Sequence, residues 1–374
     1  MKKLFSIVLC LTMLLSILTL ASCGKQTYKI AVVTDVGQLM DKGFNQGTWE
    51  GAEQYGKDHK NSVKYYQPAN GSDATDNDRI TAMQSAVDNG AEIIVAPGFL
   101  QATAMRTVAS ANPNVKFLFV DGWVLTDKAD EKGADVGQPL KNVTAIVYKE
   151  EESGYLAGYA AVMEGFTKLG YTGGGGGTNP ACNRFGFGFC QGADAAAKEK
   201  GVNVTVKYSY KYGETFSASS ELQTQISGWY KSGTEVVFAC GGSMFQSVKS
   251  AATENDGAKI IGVDNDQSGE SEKVITSAVK GLAKSVQIVL DQFYAGKWDA
   301  ELSAKCQNLG AAEDSTGLPT DTWSMKNFTV EQYRAVFEKI KKGEIVPNAE
   351  TPANANNADW LQKAGFTNVT VEFE

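Results

Sequence analysis

The sequence predicts an α/β protein of two lobes, in which each lobe is a parallel sheet with helices on both faces. Short apolar segments rich in β-branched residues alternate with helical patterns of roughly 10–15 residues along most of the chain. This alternation completes one series and then starts again near residue 150. Without a cleavable N-terminal segment, about 350 residues remain, which is more than one hydrophobic core usually supports.

The first series begins with Tyr28–Thr34, where a continuous apolar run predicts a buried strand. An amphipathic helix is predicted next, over Gly43–His59. The remaining strands of this series are predicted over Val63–Gln67, Ile93–Pro97 and Lys116–Asp121, and the remaining helices over Asp76–Asn89 and Gln101–Ala111. A strand over Val143–Tyr148 is expected to lead out of this lobe.

The second series begins with a predicted helix over Glu150–Gly165. Its strands are predicted over Lys168–Tyr171, Val204–Tyr210, Val236–Ala239 and Lys259–Val263, with a helix after Asn183. We expect an N-terminal lobe over residues 28–147 with a return at about 270–315, and a C-terminal lobe over residues 148–269 with a return at about 316–347. Residues 348–374 form a C-terminal extension that ends in the strand-like segment Val369–Phe373.

The N-terminus has the parts of a secretory signal: two lysines, the apolar stretch Leu4–Leu20, and then a polar turn. Roughly 17 apolar residues are short for a membrane-spanning helix, which needs about 20. The segment Leu20–Cys23 (LASC) resembles a bacterial lipobox, in which the cysteine is acylated and the peptide is cut before it. Residues 1–22 are thus predicted to be a signal peptide and 23–27 a tether, with an uncleaved signal anchor as the alternative.

Composition excludes several classes of function. With 35 basic and 43 acidic residues the formal charge is −8, or −10 without the two signal lysines, which argues against nucleic acid as a partner. The single histidine, His59, and cysteines without CxxC spacing do not support a metal site. Cys182 and Cys190 are free thiols or a bridge. The glycine run Gly173–Gly177 lacks the Gly-Lys-Ser/Thr ending of a phosphate loop. We expect no cofactor and no enzymatic activity.

Polar and aromatic residues follow the predicted strands. In open parallel sheets, ligands bind beyond the carboxyl ends of the strands. The residues found there are Asp35, Asp41, Phe44 and Asn45 after the first strand, Asp121 after the fourth, and Phe185, Phe216, Gly242 and Asp264 in the second lobe. Carboxylates accept hydrogen bonds from a diol, and aromatic rings stack on flat groups, so this set suits a ligand with hydroxyls and a flat face.

Each of these residues also has a structural interpretation. The carboxylates Asp35 and Asp121 could cap the helices that follow their strands. Phe44 and Phe216 could be core residues, and Lys280 could be a solvated surface lysine.

Seven segments, in order, resemble the signature of the basic membrane protein (BMP) family of lipoproteins. These segments are Ile30–Gly37, Asp41–Gln46, Gly154–Ala161, Arg184–Phe189, Gly262–Gln267, Thr276–Lys280 and Lys341–Pro347. The resemblance implies a type I periplasmic-binding-protein fold, with lobes joined by crossing hinge strands. It also implies a monomeric, lipid-anchored receptor at the extracytoplasmic membrane face, which captures a nucleoside, in this family a purine nucleoside, and delivers it to the permease of an ABC importer.

The resemblance further implies nine ligand-binding residues. They are Phe44 and Phe216 for stacking on the base, Asp41, Asn45 and Asp121 for polar edges, Gly242, Asp264 and Lys280 for the ribose hydroxyls, and Phe185 for the wall of the cleft. Two positions depart from the family pattern: Gly43 stands where a serine is usual, and the loop Gly174–Pro180 replaces a Gly-Met-x-x-Pro loop. A membrane-tethered sensor, a sugar receptor and a nucleoside hydrolase are the alternative functions.

The lipobox leads to a first prediction. We expect Cys23→Ala to remain unacylated, because the thiol that carries the lipid is gone, and to be released or held as an uncleaved precursor. Radiolabelled palmitate measures the acylation directly. Equal incorporation into the variant and the parent protein would show that Cys23 is not the lipid site.

Overall fold

The computed structural model describes residues 27–35 and 39–374. The predicted signal peptide and Cys23 lie outside the described residues. Within the part of the chain that is described, no helix combines the length and apolar character needed to cross a membrane.

The described chain alternates strands and helices as the sequence predicts. The strands are β1 (Ile30–Val33), β2 (Val63–Tyr66), β3 (Ile93–Pro97), β4 (Lys116–Val120), β5 (Val143–Tyr148), β6 (Lys168–Gly173), β7 (Val204–Ser209), β8 (Val236–Cys240), β9 (Lys259–Asp264), β10 (Val274–Lys280), β11 (Cys306–Leu309), β12 (Thr316–Gly317) and β13 (Val369–Phe373). The helices are α1 (Phe44–His59), α2 (Asp76–Asp88), α3 (Ala102–Ala111), α4 (Glu150–Glu164), α5 (Pro180–Lys200), α6 (Ser220–Lys231), α7 (Met244–Thr253), α8 (Leu282–Tyr294), α9 (Val330–Lys341) and α10 (Asp359–Gln362).

The first lobe is a six-stranded sheet in the order β11-β5-β4-β3-β1-β2, and all its strand pairs are parallel. Its central strands are buried on both faces, as their continuous apolar sequences require. Helices α2 and α3 supply Met83 and Met105 to the core on one face. On the other face, Tyr55 of α1 packs with Val286 of α8.

The second lobe is a seven-stranded sheet in the order β12-β10-β9-β8-β6-β7-β13. Every neighbouring pair is parallel except β10 and β12. Helices α4, α5 and α9 cover one face, where Phe185 and Phe189 of α5 are fully buried. Helices α6 and α7 cover the other face through Trp229 and Phe245. The two lobes confirm the predicted α/β class and the parallel sheets flanked by helices.

Helices α4 and α5 pack backbone against backbone. A β-carbon at Gly154 would lie 2.2 Å from the carbonyl oxygen of Phe185, and one at Gly158 would lie 2.0 Å from that of Phe189. No larger residue fits these positions without a shift of one helix. This close approach brings the first turns of the two helices, which contain Glu150 and Arg184, into contact.

The described chain crosses between the sheets after β5, after β10 and after β11. The predicted boundary at about residue 270 is therefore too early, because Val274–Lys280 pairs with β9 in the second sheet and not with the first. The apolar pattern of this segment predicts a buried strand, but it does not indicate which strand lies next to it in a sheet. The chain enters the first lobe only at Leu282, where α8 begins.

The crossing segments are hydrogen-bonded to one another. The amide of Lys149 donates to the carbonyl oxygen of Leu309 (2.9 Å), and that of Gly281 donates to Ser315 (2.8 Å). In addition, the Glu152 carboxylate accepts from the amide of Ala311 (2.6 Å). The three connections therefore lie side by side between the lobes.

The C-terminal extension is part of the second lobe. Its last strand, Val369–Phe373, was predicted with the same bounds and pairs in parallel with β7. Residues 348–358 before it contain no helix or strand, yet Ala355 among them is fully buried. The extension therefore adds an edge strand and a packed segment to the second sheet.

Candidate functional site

A cavity of about 760 Å³ lies between the two lobes. All nine residues that were predicted to bind the ligand line it: Asp41, Phe44, Asn45, Asp121, Phe185, Phe216, Gly242, Asp264 and Lys280. They come from both sheets and from positions at or beyond strand ends, as the geometry of open parallel sheets requires.

The first lobe contributes the loop before α1. The Asp41 carboxylate accepts hydrogen bonds from the amides of Gly43 (2.9 Å), Asn45 (3.0 Å) and Gln46 (3.1 Å), which fixes the start of the helix. Burial nevertheless raises the pKa of Asp41. The Asn45 side-chain amide donates to Asp35 (3.2 Å) and Asp41 (3.1 Å). Its Oδ1 atom is buried without a hydrogen-bond partner among the described residues, and is therefore an acceptor available to a ligand.

Lys280 is the centre of a buried ion cluster. Its Nζ atom lies 2.5 Å from Asp121, 3.1 Å from Glu150 and 3.9 Å from Asp264. The rings of Phe44 and Tyr148 also face the ammonium, with 5.3 Å from Nζ to each centroid. The interpretation of Lys280 as a solvated surface residue is wrong, since its side chain is 2% exposed. Its charge is already neutralised by these carboxylates, and two of them, Asp121 and Asp264, line the cavity.

The pKa values reflect this cluster. Burial alone would lower the pKa of Lys280. The attraction of the three carboxylates is larger than this effect and holds the pKa of Lys280 well above the ordinary value. Burial likewise opposes ionisation of Glu150, yet Lys280 and Arg184 (2.6 Å away) hold its pKa below the ordinary value. Burial raises the pKa of Asp121 and brings that of Asp264 to about 7. The last carboxyl group can therefore accept or donate a hydrogen bond near neutral pH.

Asp121 and Asp264 occupy equivalent places in the two lobes. Asp121 directly follows β4, and Asp264 is the last residue of β9. Both have left-handed backbone conformations, with φ of 55° and 66°. Such values are uncommon outside glycine and cluster at functional sites. They place both carboxylates beside Lys280 at the cavity wall.

Phe216 lies against the glycine run. It too has a left-handed backbone, with φ of 59°. A β-carbon at Gly174 would lie 2.3 Å from the Phe216 ring, and one at Gly175 would lie 3.1 Å from it. The absence of side chains at these glycines thus leaves room for the Phe216 ring to lie close to the backbone. Across the cleft, Phe99 of the first lobe lies 6.5 Å from Phe216 between ring centroids.

The remaining predicted residues, Phe185 and Gly242, form part of the cavity wall. Phe185 is a core residue, 1% exposed, whose ring contacts Phe238 edge-on and lies 5.5 Å from Lys280 Nζ. Gly242, with φ of 46°, forms the wall beside the carbonyl group of Phe216.

Three residues of the candidate site were not predicted from the sequence. Phe99 and Trp123 line the cavity just beyond β3 and β4, so the same strand-end rule could have found them. Glu150 stands at the start of a helix, where an acidic residue is expected to interact with the helix dipole. Nothing in its local sequence indicates that it pairs with Lys280.

The two lobes touch beside the cavity. The side-chain amide of Asn265 donates to the carbonyl oxygen of Gly43 (2.6 Å), and that of Gln267 donates to Lys42 (3.0 Å). Gln267 is 1% exposed and accepts a hydrogen bond from the amide of Val263 (3.0 Å), so it is itself held in place. These contacts attach the loop before α1 to the second lobe.

The described cysteines are free. Cys182 and Cys190 are not bridged, because they lie eight residues apart on helix α5, about 12 Å along its axis. Among the described residues, no group of three or more His, Cys, Asp or Glu side chains is arranged to hold a metal ion. His59 stacks on Tyr55 at the exposed end of α1.

The family follows from comparison with known proteins. A family model described as "ABC transporter substrate-binding protein PnrA-like" matches residues 28–351. The chain belongs to this family. It is therefore a substrate-binding protein of an ABC transporter, as the resemblance of its seven segments indicated.

Relatives of known name support this assignment. The chain is 30% identical over 296 residues to the ABC transporter nucleoside-binding protein BmpA of Lactococcus lactis, a match that covers 73% of this chain and 77% of that protein. It is 27% identical over 326 residues to basic membrane protein B of Borreliella burgdorferi, covering 85% and 87%.

Solved structures share the fold. An ABC transporter solute-binding protein from Aeropyrum pernix matches with a TM-score of 0.67 at 20% identity, over 86% of this chain and 94% of that one. A transcriptional activator of the comK gene from Bacillus halodurans matches with a TM-score of 0.64 at 16% identity, over 86% and 100%. Because the same fold serves transport and regulation, function must be argued from the site.

The raised pKa of Asp264 leads to a prediction about stability. Its carboxyl group loses its proton near 3.8 when unfolded and near 7 when folded, so the folded state binds more protons between these values. Its contribution to stability is therefore lost as the pH rises from about 4 to 7. We expect Asp264→Asn, which resembles the protonated form, to reduce the fall in melting temperature of the ligand-free protein between pH 5 and pH 8.

Burial also raises the pKa of Glu151 to about 7. Part of the fall in melting temperature between pH 5 and pH 8 should therefore remain in Asp264→Asn. The control is Asp256→Asn, a change at an exposed position of the same lobe, which should keep the parental pH dependence. The same slope in Asp264→Asn and the parent would refute the prediction.

Proposed function

We propose that the protein captures a nucleoside, with a purine base, in the cavity between its lobes and delivers it to an ABC importer. The observation that carries this proposal is the meeting of aromatic rings and buried carboxylates in one cavity. Phe44 and Phe216 line it from opposite lobes, and Asp121 and Asp264 line it beside Lys280.

The aromatic residues favour a flat ligand. Phe44 and Phe216 are each only partly buried, so part of each ring surface is available for stacking on a base. Phe99 and Trp123 add aromatic surface from the first lobe. A sugar could stack on a single ring, but several rings in one cavity match the larger π-surface of a base.

The carboxylates favour a neutral ligand with hydroxyls. Asp264, whose pKa is about 7, can accept or donate a hydrogen bond near neutral pH, as a ribose diol requires. Asp41 and Asp121 add further acidic groups, whereas Lys280 is already paired with carboxylates. The cavity therefore disfavours a phosphate group, and a nucleoside should bind better than its nucleotide.

The relatives agree with this choice, because the Lactococcus lactis protein is named for binding nucleosides. We further propose that the mature chain is a monomer anchored by the lipid on Cys23 at the extracytoplasmic membrane face. The crossing segments would act as the hinge for closure, and binding would be non-catalytic.

Calorimetry tests the proposal. We expect tight binding of at least one purine nucleoside, with adenosine, guanosine and inosine as probes, and weaker binding of AMP and of free bases. Better binding of AMP than of adenosine, or binding of monosaccharides alone, would overturn the nucleoside proposal. Release of free base from inosine would show a hydrolase instead of a receptor.

The aromatic pair gives a sharper expectation. Stacking of a ring on a base is worth about 1–3 kcal/mol by alanine substitution, a value taken from single-stranded nucleic acid binding. We expect Phe44→Ala and Phe216→Ala each to weaken nucleoside binding roughly tenfold or more. The melting temperature of the ligand-free protein should change little, since both rings are only partly buried.

Matched controls exist in the same two cores. Phe293 packs partly buried against the same cluster as Phe44, and Phe337 against the same cluster as Phe216, but neither lines the cavity. Phe293→Ala and Phe337→Ala should leave affinity unchanged. If the cavity variants lose stability while affinity is preserved, their rings serve the core and not the ligand.

A further inference from the structure

The match to the family model ends at residue 351, but the ordered chain continues to Glu374. The last 23 residues are not a loose tail. Ala355 and Leu361 are at most 1% exposed, and β13 extends the second sheet. These residues therefore form a packed segment of the second lobe beyond the region that the family model matches.

The extension is bound to the glycine run. The amide of Ala355 donates to the carbonyl oxygen of Gly177 (2.8 Å), and the Asn183 side chain donates to the same oxygen (3.0 Å). A β-carbon at Gly177 would lie 2.7 Å from the backbone nitrogen of Asn356, so extension and loop touch through their main chains. Trp360 anchors this contact, since its Nε1 donates to Ala355 (3.0 Å) and its ring packs edge-on against Phe187.

The other side of the same loop faces Phe216. The Phe216 ring occupies the space where a β-carbon of Gly174 would stand. The loop also shares a hydrogen-bond acceptor with this residue, because the amides of Gly175 (2.9 Å) and Phe216 (3.1 Å) both donate to the carbonyl oxygen of Gly213. The loop is thus a layer between the extension and an aromatic residue of the cavity.

The glycine run is held by hydrogen bonds from both the lobe and the extension. Gly175, Gly176 and Gly177 are consecutive residues with positive φ, and glycine loses more conformational entropy on ordering than any other residue. The amides of Gly174 and Gly175 bond to the lobe itself, to Cys240 and Gly213. The end of the run is held by Asn183 and by the extension.

We propose that residues 352–374 are a positioning element for Phe216, and that they set how strongly the protein prefers ligands with a flat ring. The extension holds Gly177, the glycine run then keeps one conformation, and the Phe216 ring rests on it at the cavity wall. The expected effect of the extension on affinity rests on the proposed nucleoside function. Its expected effect on the conformation of the glycine run does not.

Two variants loosen the support without touching the ligand. Gly177→Ala drives a methyl group against the backbone of Asn356, and Trp360→Ala removes the anchor of Ala355. The control for backbone strain is Gly201→Ala, because Gly201 has a similar positive φ (67°) in the same lobe but no atom within 4 Å of its would-be β-carbon. Trp360→Phe keeps an aromatic ring against Phe187 and should restore most of the parental behaviour.

Hydrogen exchange of the ligand-free protein is the first readout. We expect faster exchange at the amides of Gly175 and Phe216 in Gly177→Ala and Trp360→Ala, and parental rates in Gly201→Ala. Unchanged exchange at Phe216 in both loosened variants would overturn the positioning role. Because no ligand is present, this result stands even if the parent protein binds none of adenosine, guanosine and inosine, an outcome that would reject the proposed function alone.

Affinity for adenosine is the second readout. We expect the loosened variants to bind several-fold more weakly, with a smaller loss than Phe216→Ala causes. Combined with Phe216→Ala, either variant should cause less than about a twofold further loss, because coupled residues are non-additive. Full additivity would show that the extension acts on stability and not through Phe216.

Discussion

The buried ammonium of Lys280 is the interaction on which the rest of the site depends. A lone charge in this environment would cost several kcal/mol, and removal of one partner of a buried ion pair typically costs about 3–5 kcal/mol. The partners come from different parts of the chain: Asp121 from the first lobe, Glu150 from a crossing segment and Asp264 from the second lobe. One cation therefore ties both lobes together at their junction and fixes two carboxylates at the cavity wall.

Three residues of the cavity lie where regular secondary structure ends. Asp121, Phe216 and Asp264 all have left-handed backbones, a conformation that the surrounding packing must maintain against its cost of about 1–3 kcal/mol each. The cavity is consequently shaped before a ligand arrives, which lowers the entropy that binding must overcome.

The family model matches residues 28–351, which include every strand of the two sheets except the terminal strand β13. Fold alone does not separate a transport receptor from a regulator, as the similarity to a transcriptional activator illustrates. The chemistry of the cavity therefore carries the functional argument.

The sequence by itself determined the alternation of strands and helices, the two series, and the strand-end positions of eight of the nine predicted cavity residues, while Lys280 was added by the resemblance to the family. These depend on local periodicity and on the rule that parallel strands share one edge, so no distant contact had to be known. Only the tertiary structure decided that β10 joins the second sheet, that Glu150 pairs with Lys280, and that the extension supports the glycine run. Each of these is a contact between segments far apart in the chain. The interaction energy of a buried charge or of an unpaired strand depends on the partner beside it in the fold, which the local sequence does not specify.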